Sequence, residues 1–228
     1  MRVGRAALVA AVGLATVAVL LVNGFRLTAG EWTVRFEYGR DGFPPDRYGL
    51  TADERLALGL LGLESILPGG EGTALLERAR LPDGTAAFDR REIDHMQDVR
   101  QLLGAALRLQ LVLALGLAAL ALGLHRTRLR TAVPAGLLAG ALGTFGVAVL
   151  AVPFVLLGFD GLFVGFHEVF FDGSSWRFSR TDTLLRLYPE RFWQDTAQLI
   201  AGLTLAQAAL LAPLAWLWLR RARRRNTP

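Results

Sequence analysis

Residues 92–124, EIDHMQDVRQLLGAALRLQLVLALGLAALALGL, join a charged helix start to a long apolar run. Asp89, with Glu92 three residues later, is a capping pair that predicts a helix beginning at this point. Spacings of three and four place Glu92, His95 and Asp98 on one face of that helix. A neighbouring apolar stripe consists of Ile93, Met96, Val99 and Leu103. Because the pattern does not break, we expect one helix that holds a titratable ring where water gives way to lipid.

Four segments are long and apolar enough to cross a bilayer, which takes roughly 17–25 residues. They are 6–22, 103–124, 131–158 and 197–219. With 53% hydrophobic residues and a mean hydropathy of +0.37, the chain is not an ordinary soluble domain. The apolar core of the first segment is longer than that of a signal peptide, so we expect an uncleaved helix.

The arginines predict the orientation. All 25 basic residues are Arg, and ten of them lie in segments 1–24, 125–130 and 220–228, which contain no acidic residue. The other fifteen Arg and all 20 acidic residues lie elsewhere. The positive-inside rule then places both termini in the cytoplasm and the two large connections outside. Membrane orientation explains the pI near 10.8, so nucleic-acid binding is not expected.

The predicted fold is an α-helical integral membrane protein with four transmembrane helices and a small extracytoplasmic α/β cap domain. Alternating residues in Glu31–Tyr38 predict a strand in the cap, and a capping box at Thr51–Glu54 predicts a helix. The predicted segments are transmembrane helices at 1–24, 103–124, 131–158 and 197–219, the cap at 25–102, a cytoplasmic loop at 125–130, an extracytoplasmic or interfacial His-containing loop at 159–196, and a cytoplasmic Arg-rich tail at 220–228.

His95 and His167 are the candidate reactive residues. Ionisable groups at membrane depth are costly and therefore suggest function, although a polar tip at the membrane surface or an aromatic belt would also accommodate a histidine. His125 opens the cytoplasmic loop and is expected to be interfacial. The chain has no Cys, and it has neither an H-E-x-x-H zinc motif nor a G-x-S-x-G nucleophile elbow.

Two motifs resemble those of the lipoprotein intramolecular transacylase family of bacterial membrane proteins. The first is Glu92-x-x-His95-Met96-x-Asp98-Val99, directly before a span. The second is Phe159-Asp160-x-x-Phe163-x-x-Phe166-His167-x-x-Phe170-Phe171, followed by Trp176, Asp182, Pro189 and Phe192. The resemblance covers the whole chain, with one histidine motif in each outer loop. The turn at 172–175 departs from the Asn/Asp-rich turn associated with the family.

Members of this family move one ester-linked acyl chain of a diacylglyceryl-modified N-terminal Cys onto that residue's own α-amino group, which gives the lyso-form lipoprotein. The residues suit this chemistry, because an α-amino group with a pKa of about 7.7–8.0 must lose a proton that a histidine can accept. We expect His95 and His167 to be catalytic, one as general base and the other as oxyanion or leaving-group donor, with direct attack and an acyl-His route both open. Supporting residues are expected to be Glu92, Asp98 and Asp160, and substrate-binding residues Met96, Arg100, Phe163, Phe166, Phe170 and Trp176.

The partners follow from this assignment. We expect diacylated bacterial lipoproteins as substrate and membrane lipids as neighbours, with no cofactor and no metal. We further expect a monomer in the bacterial cell membrane, with the site facing outward. Two other functions are compatible with the residues: a non-catalytic membrane protein whose outer domain binds a partner or lipid, and a metal-dependent lipid hydrolase.

Overall fold

The structure, a computed structural model, describes residues 2–173 and 175–224, with the side chains of residues 2 and 152–157 left aside. Ser174 of the predicted turn and residues 225–228 of the predicted tail lie outside these residues. The helices of the described part are α1 (Arg2–Thr28), α2 (Glu31–Tyr38), α3 (Ala52–Ile66), α4 (Ala74–Arg78), α5 (Arg90–Leu124), α6 (Ala132–Leu157), α7 (Phe159–Phe170), α8 (Thr183–Leu187) and α9 (Glu190–Arg224).

Four of these helices are long and apolar enough to cross a membrane, as the sequence predicts. The candidate spans are Val3–Thr28, Arg90–Leu124, Ala132–Ala151 and Glu190–Arg224. Large apolar side chains such as Leu111, Val112 and Leu122 are well exposed on α5, as expected for a surface solvated by lipid. The protein is therefore a multi-pass membrane protein.

One compact unit comprises Met1–Leu27, Leu107–Pro153 and Leu199–Pro228, as far as the structure describes them. Small residues bring α1 and α6 close together. A Cβ atom added at Gly136 would lie 2.5 Å from the Cβ of Val12, and one added at Gly140 would lie 2.5 Å from the Cβ of Thr16. The Gly-x-x-x-Gly spacing thus gives α6 a flat face, as in many membrane helix pairs.

A second unit comprises Thr28–Ala106 and Phe154–Gln198, and its core forms around α3. The predicted capping box is present, because the Thr51 hydroxyl accepts from the Glu54 N–H and the Glu54 carboxylate accepts from the Thr51 N–H. The core is made of side chains that include Val34, Leu58, Leu63, Leu76, Ile93, Met96, Leu184, Leu187 and Phe192. This unit holds both candidate histidines.

The predicted strand at Glu31–Tyr38 is wrong, and with it the α/β cap. The segment is the helix α2, and the described residues contain a single isolated β-bridge, between Arg80 and Ala86, and no strand. An ion pair of 3.2 Å joins Glu31 to Arg35 one turn later, and Val34 and Glu37 are buried together. Eight residues are too few for the pattern to separate a two-residue period from a helical one, and the buried face follows the helical period.

Candidate active site

Two helix ends position the histidines. His95 lies in the second turn of α5, whose start is held by reciprocal hydrogen bonds: the Glu92 N–H donates to Oδ1 of Asp89 and the Asp89 N–H donates to Oε2 of Glu92, each at 2.8 Å. This confirms the predicted D-x-x-E helix start. His167 lies in the last turn of α7. The capping of α5 thus orients the turn that carries His95.

The structure brings the two histidines together. Their ring centroids are 5.8 Å apart and their planes are inclined by only 27°. Each residue is only 8% exposed. Both rings are therefore largely shielded from water, and they lie near enough for one small reacting group to contact both.

The proton on His167 has a defined place. Its Nδ1 lies 2.7 Å from the carbonyl oxygen of Phe163, one turn earlier in α7. Because a carbonyl can only accept, Nδ1 carries the hydrogen and the neutral ring presents an unprotonated Nε2. Burial lowers the pKa of His167 below its ordinary 6.5, and the bond to Phe163 opposes this in part. His167 is therefore neutral at pH 7, with a lone pair available as a base.

His95 has aromatic neighbours and no polar partner at one nitrogen. The ring contacts Phe171 edge-on at 4.9 Å and Phe178 edge-on at 5.4 Å. Its Nδ1 is buried and has no hydrogen-bond partner among the described residues. A buried ring nitrogen in this state calls for an explanation.

Among the described residues, no hydrogen bond joins a predicted supporting carboxylate to either histidine. The second carboxylate oxygen of Glu92, Oε1, accepts from the Leu184 N–H at 2.7 Å, so this side chain ties the start of α5 to α8. Asp98 is exposed on α5, and Asp160 is exposed in the first turn of α7. A role for these three residues in catalysis stays a prediction. For Glu92 the contacts favour an indirect role.

Two predicted substrate-binding residues have structural contacts. Met96 is buried in the core of the second unit. The Arg100 guanidinium donates to the carbonyl oxygens of Ser65, Leu67 and Gly70, at 2.9, 3.2 and 3.2 Å. It therefore closes the end of α3, because the last carbonyls of a helix lack partners within it.

The predicted aromatic residues lie around His167. Phe163 and Trp176 contact its ring at centroid distances of 4.1 and 4.8 Å, and Phe166 contacts it edge-on at 5.5 Å. Phe170 contacts Phe166, and both are about half exposed. These side chains form a continuous apolar surface beside the histidines, as an acyl chain would require.

Sequence reasoning missed the ring contacts to His95. Phe171 belongs to the second motif, but nothing in its spacing indicates a contact with a histidine on another helix. Phe178 has no such signal at all, because it lies in an irregular segment. Within the described residues there is no group of three or more His, Cys, Asp or Glu side chains that could hold a metal ion.

Comparisons with known proteins identify the family. The family model described as "Lipoprotein intramolecular transacylase Lit" matches residues 75–193, a little over half of the chain and a segment that contains both histidines. The chain belongs to the lipoprotein intramolecular transacylase family. The resemblance inferred from the two motifs is confirmed, and the protein is a membrane-bound acyltransferase.

Relatives of the family differ widely in sequence. An uncharacterised protein of Aquifex aeolicus (strain VF5) is 31% identical over 179 residues, which is 78% of this chain and 79% of that protein. The solved structure of the lipoprotein intramolecular transacylase Lit from Bacillus cereus is 18% identical, with a TM-score of 0.75 over 98% of this chain and 100% of that one. A variant of the same enzyme with one histidine replaced by alanine is 19% identical, with a TM-score of 0.70 over 96% of each chain. At these identities the solved structures show that the fold is shared.

Proposed function

We propose that this protein transfers one O-linked acyl chain of the diacylglyceryl-Cys of a bacterial lipoprotein to the α-amino group of the same Cys. The product is an N-acyl, S-monoacylglyceryl lipoprotein. The observation that carries the proposal is the pair of buried histidine rings 5.8 Å apart, one with its tautomer fixed by the Phe163 carbonyl. Membership of the family supplies the substrate class.

The reaction needs only proton transfer and positioning. The amine nitrogen attacks the ester carbonyl carbon and forms the C–N bond, while an N–H proton passes to Nε2 of His167. The tetrahedral intermediate then breaks the C–O bond to the glyceryl oxygen, which takes up a proton from the histidine pair. An ester and an amine become an amide and an alcohol, with no gain or loss of protons overall.

The contacts of the two histidines support a division of work between them. His167 is the general base, because its Nδ1–H is engaged by the Phe163 carbonyl, which leaves the lone pair on Nε2. His95 returns the proton to the leaving oxygen, because its ring faces the first histidine and its Nδ1 has no hydrogen-bond partner among the described residues. Amine and ester belong to one molecule, so proximity supplies much of the rate acceleration, and a monomer suffices.

The arginine distribution supports a site on the outer side of the cell membrane. Segments 1–24, 125–130 and 220–228 carry ten Arg and no acid, so we place both termini in the cytoplasm. We place the membrane-embedded part of α5 at 103–124, because the turns before it carry charged residues. Diacylated lipoproteins present their acyl chains in the outer leaflet, where this arrangement puts the histidines.

Mass spectrometry of a lipoprotein's N-terminal peptide tests the proposal. The host lacks any other N-acyltransferase and expresses this protein, or the variants His95→Ala and His167→Ala. The N-acyl, S-monoacyl peptide should appear with the wild type and be absent with either variant. His125→Ala is the matched control, because His125 is exposed at the end of α5 and should leave the product unchanged.

Two results would contradict the proposal. An unchanged diacyl peptide in cells that contain well-inserted wild-type protein would exclude acyl transfer to the amine. Release of free fatty acid by the wild-type protein, if it stops on addition of a chelator, would instead indicate a metal-dependent lipid hydrolase.

A further inference from the structure

In the described part of the chain, two buried ring nitrogens without a hydrogen-bond partner belong to residues beside His167. Among the described residues, buried side-chain atoms without a hydrogen-bond partner are the Nδ1 of His95, the Nε1 of Trp176 and the hydroxyls of Thr33, Thr196 and Thr204. The two nitrogens belong to rings that both contact His167. A buried donor without an acceptor destabilises a protein, so its retention calls for an explanation.

Trp176 is held firmly in this position. The residue is 6% exposed, and its ring contacts that of His167 in a tilted arrangement, with a centroid distance of 4.8 Å and an angle of 34°. The guanidinium of Arg177 lies 5.0 Å from the Trp176 ring centroid and is itself 3.6 Å from a carboxylate oxygen of Glu168. The indole ring thus has a defined place beside the proposed base.

The indole N–H can only donate, and the proposed reaction needs such a donor. Attack by the amine turns the ester carbonyl oxygen into an oxyanion, whose stabilisation is commonly the largest contribution to acyl-transfer catalysis. The Nδ1–H of His167 is not available for this purpose, because it is bonded to Phe163. His95 is already assigned to return a proton to the leaving oxygen when the tetrahedral intermediate breaks down.

We propose that the Nε1–H of Trp176 donates a hydrogen bond to the ester carbonyl oxygen of the substrate and to the oxyanion that forms from it. This inference rests on the proposed acyl transfer and adds a catalytic residue to it. Trp176 then has two functions in the pocket: the ring packs against His167, and the N–H stabilises the transition state. No covalent bond to Trp176 forms or breaks.

Trp176→Phe separates these two functions, because phenylalanine keeps an aromatic ring and lacks the donor. Purified protein in detergent is assayed with a synthetic diacylglyceryl lipopeptide, and the N-acyl product is quantified by mass spectrometry. The kcat should fall about 100- to 1000-fold, the loss typical of one oxyanion donor, while KM changes by less than about threefold. An interaction made mainly in the transition state lowers kcat in this way.

Trp193→Phe is the matched control. Trp193 belongs to the same unit and contacts Phe163, Tyr188 and Phe192, and no ring contact joins it to either histidine in the part of the chain that is described. This variant should retain at least half of the wild-type kcat. Equal losses in both variants would show that aromatic packing alone is responsible, and would overturn the inference.

A second replacement covers the case in which Trp176→Phe does not fold. Benzothienylalanine at position 176 has nearly the shape of tryptophan, with sulfur in place of the N–H group. It should show the same loss of kcat at an unchanged melting temperature. A kcat within twofold of the wild type would overturn the inference.

The assay also separates this inference from the function beneath it. Wild-type protein that forms no N-acyl product contradicts the proposed function itself. Wild-type protein that forms the product, together with a fully active Trp176→Phe variant, contradicts only the assignment of the oxyanion donor.

Discussion

Replacing Glu92 by alanine should destabilise the second unit far more than it impairs the chemistry. The carboxylate is 2% exposed and accepts two backbone hydrogen bonds, from Asp89 at 2.8 Å and from Leu184 at 2.7 Å. A hydrogen bond to a charged group contributes roughly 1.5–3 kcal/mol, and loss of a helix cap costs about 1 kcal/mol. Since the Leu184 N–H is buried as well, we expect a loss of roughly 3–4 kcal/mol in the free energy of unfolding.

Thermal unfolding in detergent measures this loss. For a chain of this size, 1 kcal/mol corresponds to roughly 2–4 °C, so the melting temperature should fall by roughly 6–16 °C. Glu92→Gln should lose about half as much, because one amide oxygen can accept one of the two bonds. Asp94→Ala is the control on the same helix: this carboxylate forms an exposed ion pair with Arg90, so its loss should cost less than about 1 kcal/mol.

Activity decides between two roles for Glu92. If Glu92 positions the segment that packs against His95, the Glu92→Ala variant should retain substantial kcat when it is assayed well below its melting temperature. If it acts on the His95 ring directly, as the helical spacing in the sequence suggests, kcat should collapse while the melting temperature stays within 2 °C of the wild type. The second outcome would refute the reasoning from the hydrogen bonds.

Three further changes test other parts of the structure. In a plot of log kcat/KM against pH, the substrate amine should give a slope of one below about pH 8. Protonation of His167, whose pKa burial lowers, should steepen the slope to two only below pH 6.5. Steepening above pH 6.5 would contradict the lowered pKa. Gly140→Leu should reduce the yield of folded protein, measured by size-exclusion chromatography, because a Cβ atom at this position would lie 2.5 Å from that of Thr16. Gly146→Leu should not reduce it, because a Cβ atom there would have nothing within 4 Å. Equal yields would argue against close packing of α1 and α6. Burial first, and a neighbouring carboxylate second, raise the pKa of Glu37, so its stabilising contribution is greatest below about pH 4.5 and is lost as the pH rises through its pKa in the folded protein. Glu37→Gln should therefore raise the melting temperature at pH 8 and leave it nearly unchanged at pH 4, and the opposite order would show that the ionised carboxylate stabilises the fold.

The membrane helices could be predicted because a bilayer imposes a length. About 20 apolar residues without a charge have few other stable places in a protein, so segments such as 131–158 are recognisable by composition alone. The start of α5 was equally accessible, because the Asp89–Glu92 capping pair acts over three residues. Both signals are local in the sequence.

The predicted strand failed because its deciding interactions are not local. Tyr38 donates its hydroxyl to the carbonyl of Leu187, 2.7 Å away. Arg40 binds both Glu37 and Asp195. Leu187 and Asp195 are about 150 residues distant from their partners in the sequence. The alternation of Trp32, Val34, Phe36 and Tyr38 therefore could not reveal that the segment packs as a helix.

The candidate site was predicted in part for the same reason. Two of only three histidines, each in a recognisable motif, could be named from the sequence. The partner of Glu92 could not, because Leu184 lies 92 positions later and contributes a backbone N–H that any residue would have. The indole N–H of Trp176 is likewise visible as a site feature only once its lack of an acceptor is known.

The aromatic wall around the histidines has a consequence for the fate of the acyl chain. An activated ester can be cleaved by water as well as by an amine, and water is by far the more abundant nucleophile. Aromatic rings leave little room for water: His95 contacts Phe171 and Phe178, and His167 contacts Phe163 and Trp176. A closed site of this kind suppresses the competing hydrolysis. Each turnover would then keep both fatty acids on the lipoprotein and release none into the membrane.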